Sequence, residues 1–213
     1  MSAQRSIDLP GLVAHLSRTQ REARRLVAIT GAPGSGKSTF TEHLCAQLNE
    51  NAAASACVLA MDGFHFDDRV LESRGHRVRK GAPYTFDVAG LAAMLQRLKA
   101  DDGVEVAVPV FDRSLEIARA GAAIIPASAR IVLVEGNYLL LEDLNWIPLR
   151  KHFDVTVQLD VPRHTLAERL ASRWQGYGLD EAAVRAKLEG NDLPNCELVV
   201  AHSAAADFIV PNF

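Results

Sequence analysis

Short apolar runs, each bounded by polar or glycine-containing segments, recur along the chain and predict buried β-strands. Between them, apolar residues recur every three or four positions, as in amphipathic helices. Strands that alternate with helices are typical of a parallel sheet covered by helices on both faces. The pattern therefore predicts a three-layer α/β fold with a parallel sheet of about five strands. The predicted strands are Leu26–Thr30, Cys57–Met61, Val104–Phe111, Arg130–Val134 and Phe153–Leu159, with Phe208–Val210 as a further candidate.

Helical periodicity occupies much of the remaining chain. A first helix is predicted over Ile7–Arg21, and the arginines at 18, 21, 24 and 25 are assigned to its polar face. From Gly63 to Phe86 the pattern is irregular and rich in glycine, arginine and histidine, and Ala122–Pro126 is predicted to be a short excursion from the sheet. Further helices are predicted after Ser38, after Asp87, from Pro162 to about Trp174, and from Asp180 to Leu188.

The composition is that of an ordinary globular chain. Its 213 residues, 48% of them hydrophobic, fit one domain over 1–213 with a small lid at roughly 162–178. A net charge of −3 argues against nucleic-acid binding, and no apolar run is long enough to span a membrane. Three cysteines without metal-binding spacing indicate a reducing compartment, so we expect a cytoplasmic protein.

A glycine-rich loop lies between the first predicted strand and the following helix. Its sequence has the form G-x-x-x-x-G-K-S, which is typical of a phosphate-binding loop, or P-loop, in a strand–loop–helix context. Loop amides and the helix N-terminus would bind a nucleotide triphosphate, Lys37 would reach its β- and γ-phosphates, and Ser38 would ligate Mg²⁺. A chance glycine-rich turn is the alternative. The nucleotide-binding candidates are Gly31, Ala32, Pro33, Gly34, Ser35, Gly36, Lys37, Ser38 and Thr39.

Carboxylates follow two other predicted strands. Because ligands of open parallel sheets lie beyond the carboxyl ends of the strands, Asp62 is a candidate base for an acceptor hydroxyl and Glu135 a candidate Mg²⁺ ligand. The alternative is that each residue caps a local turn, as Asp62 with Gly63 could.

Two groups of basic residues are candidates for binding anions. Arg74, Arg79 and Lys80, with His65 nearby, could bind an anionic acceptor, or they could form a solvated loop surface. Arg169 and Arg173 are four residues apart, so they share one face of the Pro162 helix. They could close over the phosphates as a lid, or they could belong to an ordinary surface helix.

The order of motifs resembles the phosphoribulokinase, uridine kinase and bacterial pantothenate kinase superfamily of P-loop kinases. Within it, the chain is most similar to members named as nucleoside or fructose-transport-system kinases. The likeness covers most of the chain from residue 26 onward. The resembling segments are Asp62-Gly63-Phe64-His65, Leu71–Gly75, Arg79-Lys80-Gly81-Ala82-Pro83, Phe86-Asp87, Pro109-Val110-Phe111-Asp112, Val134-Glu135-Gly136, and Asn191-Asp192 with Asn195.

The resemblance implies a P-loop NTPase fold and a role for each matching position. Asp62 would act as the base or orient the acceptor, and Arg169 and Arg173 would belong to the lid. Asp112 and Arg113 would contact the acceptor. Asn195 would lie near the nucleotide base, as would Pro211. Two departures matter: Phe111 replaces the usual tyrosine, and the chain is shorter than pantothenate kinases.

These observations predict an ATP- and Mg²⁺-dependent kinase. It would transfer the γ-phosphoryl group to a hydroxyl of a sugar, nucleoside or related small metabolite. A pantothenate-type kinase is one alternative. A P-loop switch or chaperone that hydrolyses ATP slowly is another. We expect no nucleic acid or membrane partner, and a homodimer is left open.

Overall fold

The computed structural model describes residues 4–18, 23–51 and 56–212. Within them, the helices and strands alternate broadly as predicted. The strands are β1 Arg5–Ser6, β2 Arg25–Thr30, β3 Ala56–Ala60, β4 Val106–Asp112, β5 Ile117–Ile125, β6 Ile131–Glu135, β7 Val155–Asp160 and β8 Phe208–Pro211. The helices are α1 Leu9–Arg18, α2 Lys37–Asn51, α3 Asp68–Ser73, α4 Val88–Ala100, α5 Arg163–Gly176, α6 Glu181–Lys187 and α7 Leu193–His202. Short 3₁₀ turns occupy Met61–Phe64, Arg77–Arg79, Pro83–Thr85 and Ile147–His152, and a π-helical turn spans Leu188–Asp192.

Among the described residues, six strands form one parallel sheet in the order β1-β8-β7-β2-β6-β3. Successive side chains of the central strand β2 point to opposite faces, as the strand period requires. Leu26 and Ala28 pack into a core with α4, α5 and α7. Val27 and Ile29 pack into a second core with α1 and α2. The predicted three-layer α/β fold is therefore confirmed, with six parallel strands where about five were expected.

The prediction for Val104–Phe111 was wrong about its partner. This segment contributes β4, but β4 pairs antiparallel with β5 in a separate two-stranded sheet. The predicted excursion Ala122–Pro126 is largely the end of β5. Alternation of apolar and polar residues marks a strand but does not specify which strand it pairs with.

The assignment of Arg24 and Arg25 to a polar helix face was also wrong. Helix α1 ends at Arg18, and Arg21 lies outside the described residues. Arg24 is 1% exposed, and its guanidinium donates to the carbonyl oxygens of Leu98 and Ala129. Arg24 also pairs with Asp101 at 3.3 Å. Burial of an arginine is tolerated here because its donors are satisfied.

Asp101 joins three elements at one end of the main sheet. It follows α4 with a left-handed backbone, φ 47°. One of its carboxylate oxygens, Oδ2, accepts from the backbone N–H of Arg24 at 3.0 Å and from Arg130 Nη1 at 2.8 Å. Arg24 and Arg130 immediately precede β2 and β6, so the Asp101 anchor lies at the amino ends of these strands.

No helix among the described residues combines the length and the apolar character needed to cross a bilayer. Cys196 is buried, Cys45 and Cys57 are half-buried, and all three are free thiols.

Candidate active site

The glycine-rich loop connects the carboxyl end of β2 to the start of α2. Gly34 and Gly36 have φ values of 80° and 82°, in the left-handed region that favours glycine. At Gly36 a Cβ atom would lie 2.8 Å from the Asn212 side-chain nitrogen, so even a methyl group would collide. The local sequence therefore dictates a tight loop whose backbone can approach a ligand closely.

Lys37 begins α2 and is 7% exposed. Its Nζ donates to the Ala32 carbonyl oxygen at 3.0 Å, across the loop. Burial lowers the pKa of Lys37 to about 8, although the negative charges of Glu135 and Asp62 oppose that shift. The amine is thus held beneath the loop next to two carboxylates.

Ser38 and Glu135 are brought together by the pairing of β2 with β6. The Ser38 hydroxyl donates to Glu135 Oε1 at 3.5 Å, a long hydrogen bond. Glu135 is 7% exposed, and burial, with the charge of Asp62 adding to it, raises its pKa to about 7. The Ser38 hydroxyl and the Glu135 carboxylate therefore place two oxygen atoms that could bind a metal in the same small space at the mouth of the loop.

Asp62 lies in the 3₁₀ turn that directly follows β3. Its carboxylate accepts a hydrogen bond from Arg113 Nη2 at 3.2 Å, and Arg113 follows β4. Asp62 and Arg113 line one polar cleft with Lys37, Glu135 and Arg173. The cleft is also lined by Pro33, Gly34, Gly36, Ser38, Thr39, Gly136 and Asn137. Asn137 was missed by the sequence reading, although its place two residues after Glu135 could have indicated it.

Arg169 lies beside the loop but faces a neighbouring cavity. Its Nη1 donates to the Asn212 carbonyl oxygen at 3.3 Å. The Asn212 side chain in turn donates to the Ser35 carbonyl oxygen at 2.6 Å, which fixes the residues after β8 to the loop. The cavity has a volume of about 560 Å³, and its lining includes Arg169, His43, Pro211 and Asn212. Asn212 was also missed, although it follows a strand end.

His65 packs between the rings of Phe86 and Phe111, with centroid distances of 4.0 and 4.8 Å. Its Nδ1 lies 2.8 Å from the Asp62 carbonyl oxygen. Because a carbonyl can only accept, Nδ1 must carry the hydrogen. Burial lowers the pKa of His65, so the neutral ring is favoured and leaves Nε2 as an acceptor.

The predicted basic cluster makes several separate contacts. Lys80 Nζ and Arg77 Nε both pair with Asp68, at 2.7 and 2.8 Å. Arg74 stacks over the ring of Phe66, 4.4 Å from its centroid. Arg79 donates to the Gly190 carbonyl oxygen at 2.6 Å and to Asn195 Oδ1 at 3.3 Å. Arg74, Arg79 and Lys80 therefore each have an intramolecular partner and do not converge on one point.

Asp112 and Asn195 lie outside the polar cleft lining. Asp112 accepts from the Ser114 hydroxyl at 2.6 Å and from Arg119 at 3.0 Å, and these bonds lower its pKa to about 2. Asn195 is 3% exposed and lines a cavity with Arg79, whereas Pro211 lines the cavity beside Arg169. The structure therefore does not bring Asn195 and Pro211 together.

Residues 26–212 match the model of the Phosphoribulokinase / Uridine kinase family. The chain belongs to this family. Within it, the chain is 36% identical over 202 residues to YggC of Escherichia coli (strain K12), a protein named as uncharacterized, covering 93% of this chain and 82% of YggC. It is 29% identical over 199 residues to a provisionally named uridine kinase of Schizosaccharomyces pombe, covering 90% of this chain and 84% of that protein.

A solved structure shows the same architecture. It is that of a provisionally named fructose transport system kinase from Silicibacter sp. TM1040. It superposes with a TM-score of 0.90 and 40% sequence identity, covering 96% of this chain and 99% of that chain. The predicted family resemblance and the P-loop kinase fold are therefore confirmed.

Proposed function

We propose that the protein transfers the γ-phosphoryl group of ATP to a hydroxyl of a small metabolite such as a sugar or nucleoside. The observation that carries this proposal is the polar cleft in which Lys37, Asp62 and Glu135 meet at the mouth of the P-loop. Phosphoryl transfer requires charge stabilisation, a metal site and a group that orients the acceptor hydroxyl. One candidate for each role lines this cleft.

The loop fits a triphosphate. Its positive-φ glycines allow close approach of the backbone, and α2 begins at the loop, so its N-terminus favours an anion. Lys37 Nζ now bonds to the Ala32 carbonyl, a partner that it can exchange for phosphate oxygens. Arg173 lines the cleft from α5 and would add positive charge near the transferred group, while Arg169 would face the nucleotide from the adjoining cavity.

Ser38 and Glu135 fit a Mg²⁺ ion, because both present oxygen atoms to one small space. The described residues contain no group of three or more histidine, cysteine, aspartate or glutamate side chains placed to bind a metal. Kinase sites usually hold Mg²⁺ through one or two carboxylates together with the substrate phosphates. When bound, Mg²⁺ would neutralise charge on the phosphates.

Asp62 is the proposed base. It lines the cleft together with residues of the loop, and Arg113 Nη2 donates to its carboxylate at 3.2 Å. A carboxylate in this place would accept the proton of the acceptor hydroxyl and orient that hydroxyl toward the phosphorus. A slow P-loop switch would need no such group, so Asp62 supports the kinase over the switch or chaperone.

The proposed activity is compatible with either an anionic or a neutral acceptor. An anionic acceptor would have to compete with Asp68 for Lys80, and with Gly190 and Asn195 for Arg79. The test is the acceptor KM of Arg74→Ala, Arg79→Ala and Lys80→Ala at low and high ionic strength. Binding of an anion by these residues predicts KM increases of about one to two decades, whereas a neutral acceptor predicts small, salt-insensitive changes.

The function as a whole is tested with a panel of sugars, nucleosides and pantothenate. Purified protein is incubated with Mg²⁺ and ATP, and ADP release is measured above the rate without acceptor. Lys37→Ala serves as the control for contaminating kinases. Acceptor-dependent ADP release, lost in the control, supports the proposal. Turnover that no acceptor raises would favour the switch or chaperone.

A further inference from the structure

The π-helical turn Leu188–Asp192 joins α6 to α7 and departs from the α-helical hydrogen-bond pattern. The backbone N–H of Leu193 donates to the Leu188 carbonyl, five residues back. Pro194 follows and has no N–H, so it cannot bond the carbonyl of Gly190, four residues before it. Arg79 fills this position, donating to the Gly190 oxygen at 2.6 Å. π-Turns often mark functional positions in helices.

The side chains of this turn hold the segment 77–82, which we call the acceptor segment. Asn191 donates to the Lys80 carbonyl oxygen at 2.9 Å. Asn195, almost fully buried, donates to Asn191 Oδ1 at 3.3 Å and accepts from Arg79 at 3.3 Å. The side chains of Asn191 and Asn195 thus connect the turn to the Lys80 carbonyl and to the Arg79 guanidinium.

The same turn is bonded to the helix that carries the lid arginines. Trp174 Nε1 donates to Asp192 Oδ2 at 2.6 Å. Trp174 directly follows Arg173, which lines the P-loop cleft. On the other side, the Cys196 thiol contacts the Pro33 carbonyl oxygen at 3.4 Å. A shift of α5 that moves Arg173 toward bound phosphates would also move Trp174, whose hydrogen bond connects that shift to Asp192.

We propose that Asn191 and Asp192 are positioning residues that couple nucleotide binding at the P-loop to the geometry of the acceptor segment. The mechanical path runs from Arg173 through Trp174 and Asp192 to Asn191 and Lys80. It rests on the proposed function, because it assigns the acceptor segment a part in that reaction. Binding of the nucleotide would fix α5, and the turn would then hold residues 77–82 in the arrangement that receives the acceptor.

Hydrogen exchange of the full chain tests the coupling without an acceptor. The amides of Lys80 and Ala82 are bonded within the acceptor segment, the amide of Arg79 is bonded to His76, which precedes the segment, and all three report on opening of the segment. The probe is Mg²⁺ with the non-hydrolysable ATP analogue AMP-PNP. In the unaltered protein, the analogue should slow exchange at the P-loop, in α5 and in residues 77–82. Protection at the loop and α5 without protection at 77–82 would overturn the inference and leave nucleotide binding intact. Absence of protection at the loop would contradict the proposed function itself.

Trp174→Phe removes the indole donor but keeps an aromatic ring. The nucleotide-dependent slowing at 77–82 should fall by about one to two decades, the effect of losing one hydrogen bond to a charged group, while protection of the loop persists. Tyr177→Phe is the matched control, because it removes a polar atom from the neighbouring ring and leaves the Trp174–Asp192 bond intact. Should Trp174→Phe fold poorly, Asn191→Ser cuts the path at Lys80 and should have the same effect. Full protection of 77–82 in a folded variant would refute the coupling.

Discussion

The P-loop cleft differs in what its charges do from the basic segment 69–80, which we define by Arg69, Arg74, Arg77, Arg79 and Lys80. In the cleft, Lys37 is buried with Glu135 and Asp62 nearby, and burial shifts the pKa values of both Lys37 and Glu135. In the basic segment, Lys80 and Arg77 share the single carboxylate of Asp68, and Arg79 is bonded to Gly190 and Asn195. Groups held in a costly electrostatic state are typical of functional sites, whereas the side chains of the basic segment are held in place by intramolecular partners.

The contrast teaches that a count of basic residues says little about the charge of a ligand. Both regions contain several cations, and those of the cleft are Lys37, Arg113 and Arg173. Only the partners distinguish them, and the partner of Arg79 lies more than a hundred residues away. The following changes break or sharpen this comparison, beginning with the largest expected effect.

Asp62→Asn should lower acceptor phosphorylation by about 10²–10⁴ at saturating acceptor, because an amide cannot take the hydroxyl proton. The affinity for ATP should change little. The measurement is kcat with the best acceptor, together with nucleotide binding by calorimetry. Asp67→Asn is the control, since asparagine caps a helix as well as aspartate does. An equal loss of ATP binding would make Asp62 a nucleotide or metal ligand.

Lys37→Ala should lower nucleotide turnover by about 10²–10³, because it removes charge that stabilises the transferring phosphoryl group. Ser38→Ala should act in the same direction by removing a proposed Mg²⁺ ligand. Both variants should remain folded by circular dichroism. Survival of ATP binding and turnover in both would show that the loop is not a phosphate site.

Arg79→Ala should destabilise the fold by about 1–3 kcal/mol, because the side-chain oxygen of the buried Asn195 loses its donor. The Gly190 carbonyl belongs to an exposed residue and can bond water instead. Arg74→Ala is the matched comparison within the same segment. Its guanidinium stacks on Phe66 at the surface, so the expected loss is about 0.5–1 kcal/mol. Urea unfolding measures both. Equally small losses of stability in both variants would show that Arg79 is not needed for the fold, which would leave it available to bind an acceptor.

His65→Phe tests how the pKa of His65 makes the stability of the protein depend on pH. Burial lowers the pKa of His65 in the folded state, while Asp62 and Glu116 oppose that shift and Lys80 adds to it. The unfolded chain therefore takes up a proton near pH 6.5 that the folded protein does not. Stability that is present above this pH is lost as pH falls below it. Phenylalanine keeps the ring contacts but cannot titrate. The unfolding free energy of the variant, relative to that of the unaltered protein, should therefore increase as pH falls from 7 to 5. A gap that is independent of pH would contradict the lowered pKa.

Much of the fold was predictable because its signals are local. The apolar runs of β2, β3 and β6 and the helix cap at Asp87, which accepts from the Gly90 amide, need only neighbouring residues. The P-loop is equally local, and strand ends led to Asp62 and Glu135. The predictions were weaker wherever a distant partner decides. Arg24 is buried because carbonyls some 75 to 105 positions later in the chain accept its hydrogen bonds. Helix α7 was missed because Pro194 near its start suggests a break, which the π-turn accommodates.

The Asp101 anchor lies at the end of the sheet opposite the P-loop. It ties the entry of β2 and β6 to the end of α4 through Arg24 and Arg130. Thermal stability and catalytic activity should therefore depend on separate parts of the molecule. Weakening the anchor should leave each folded molecule as active as before while fewer molecules stay folded on warming. A lineage of such proteins could thus adapt to a new growth temperature at Asp101 without any change to its chemistry.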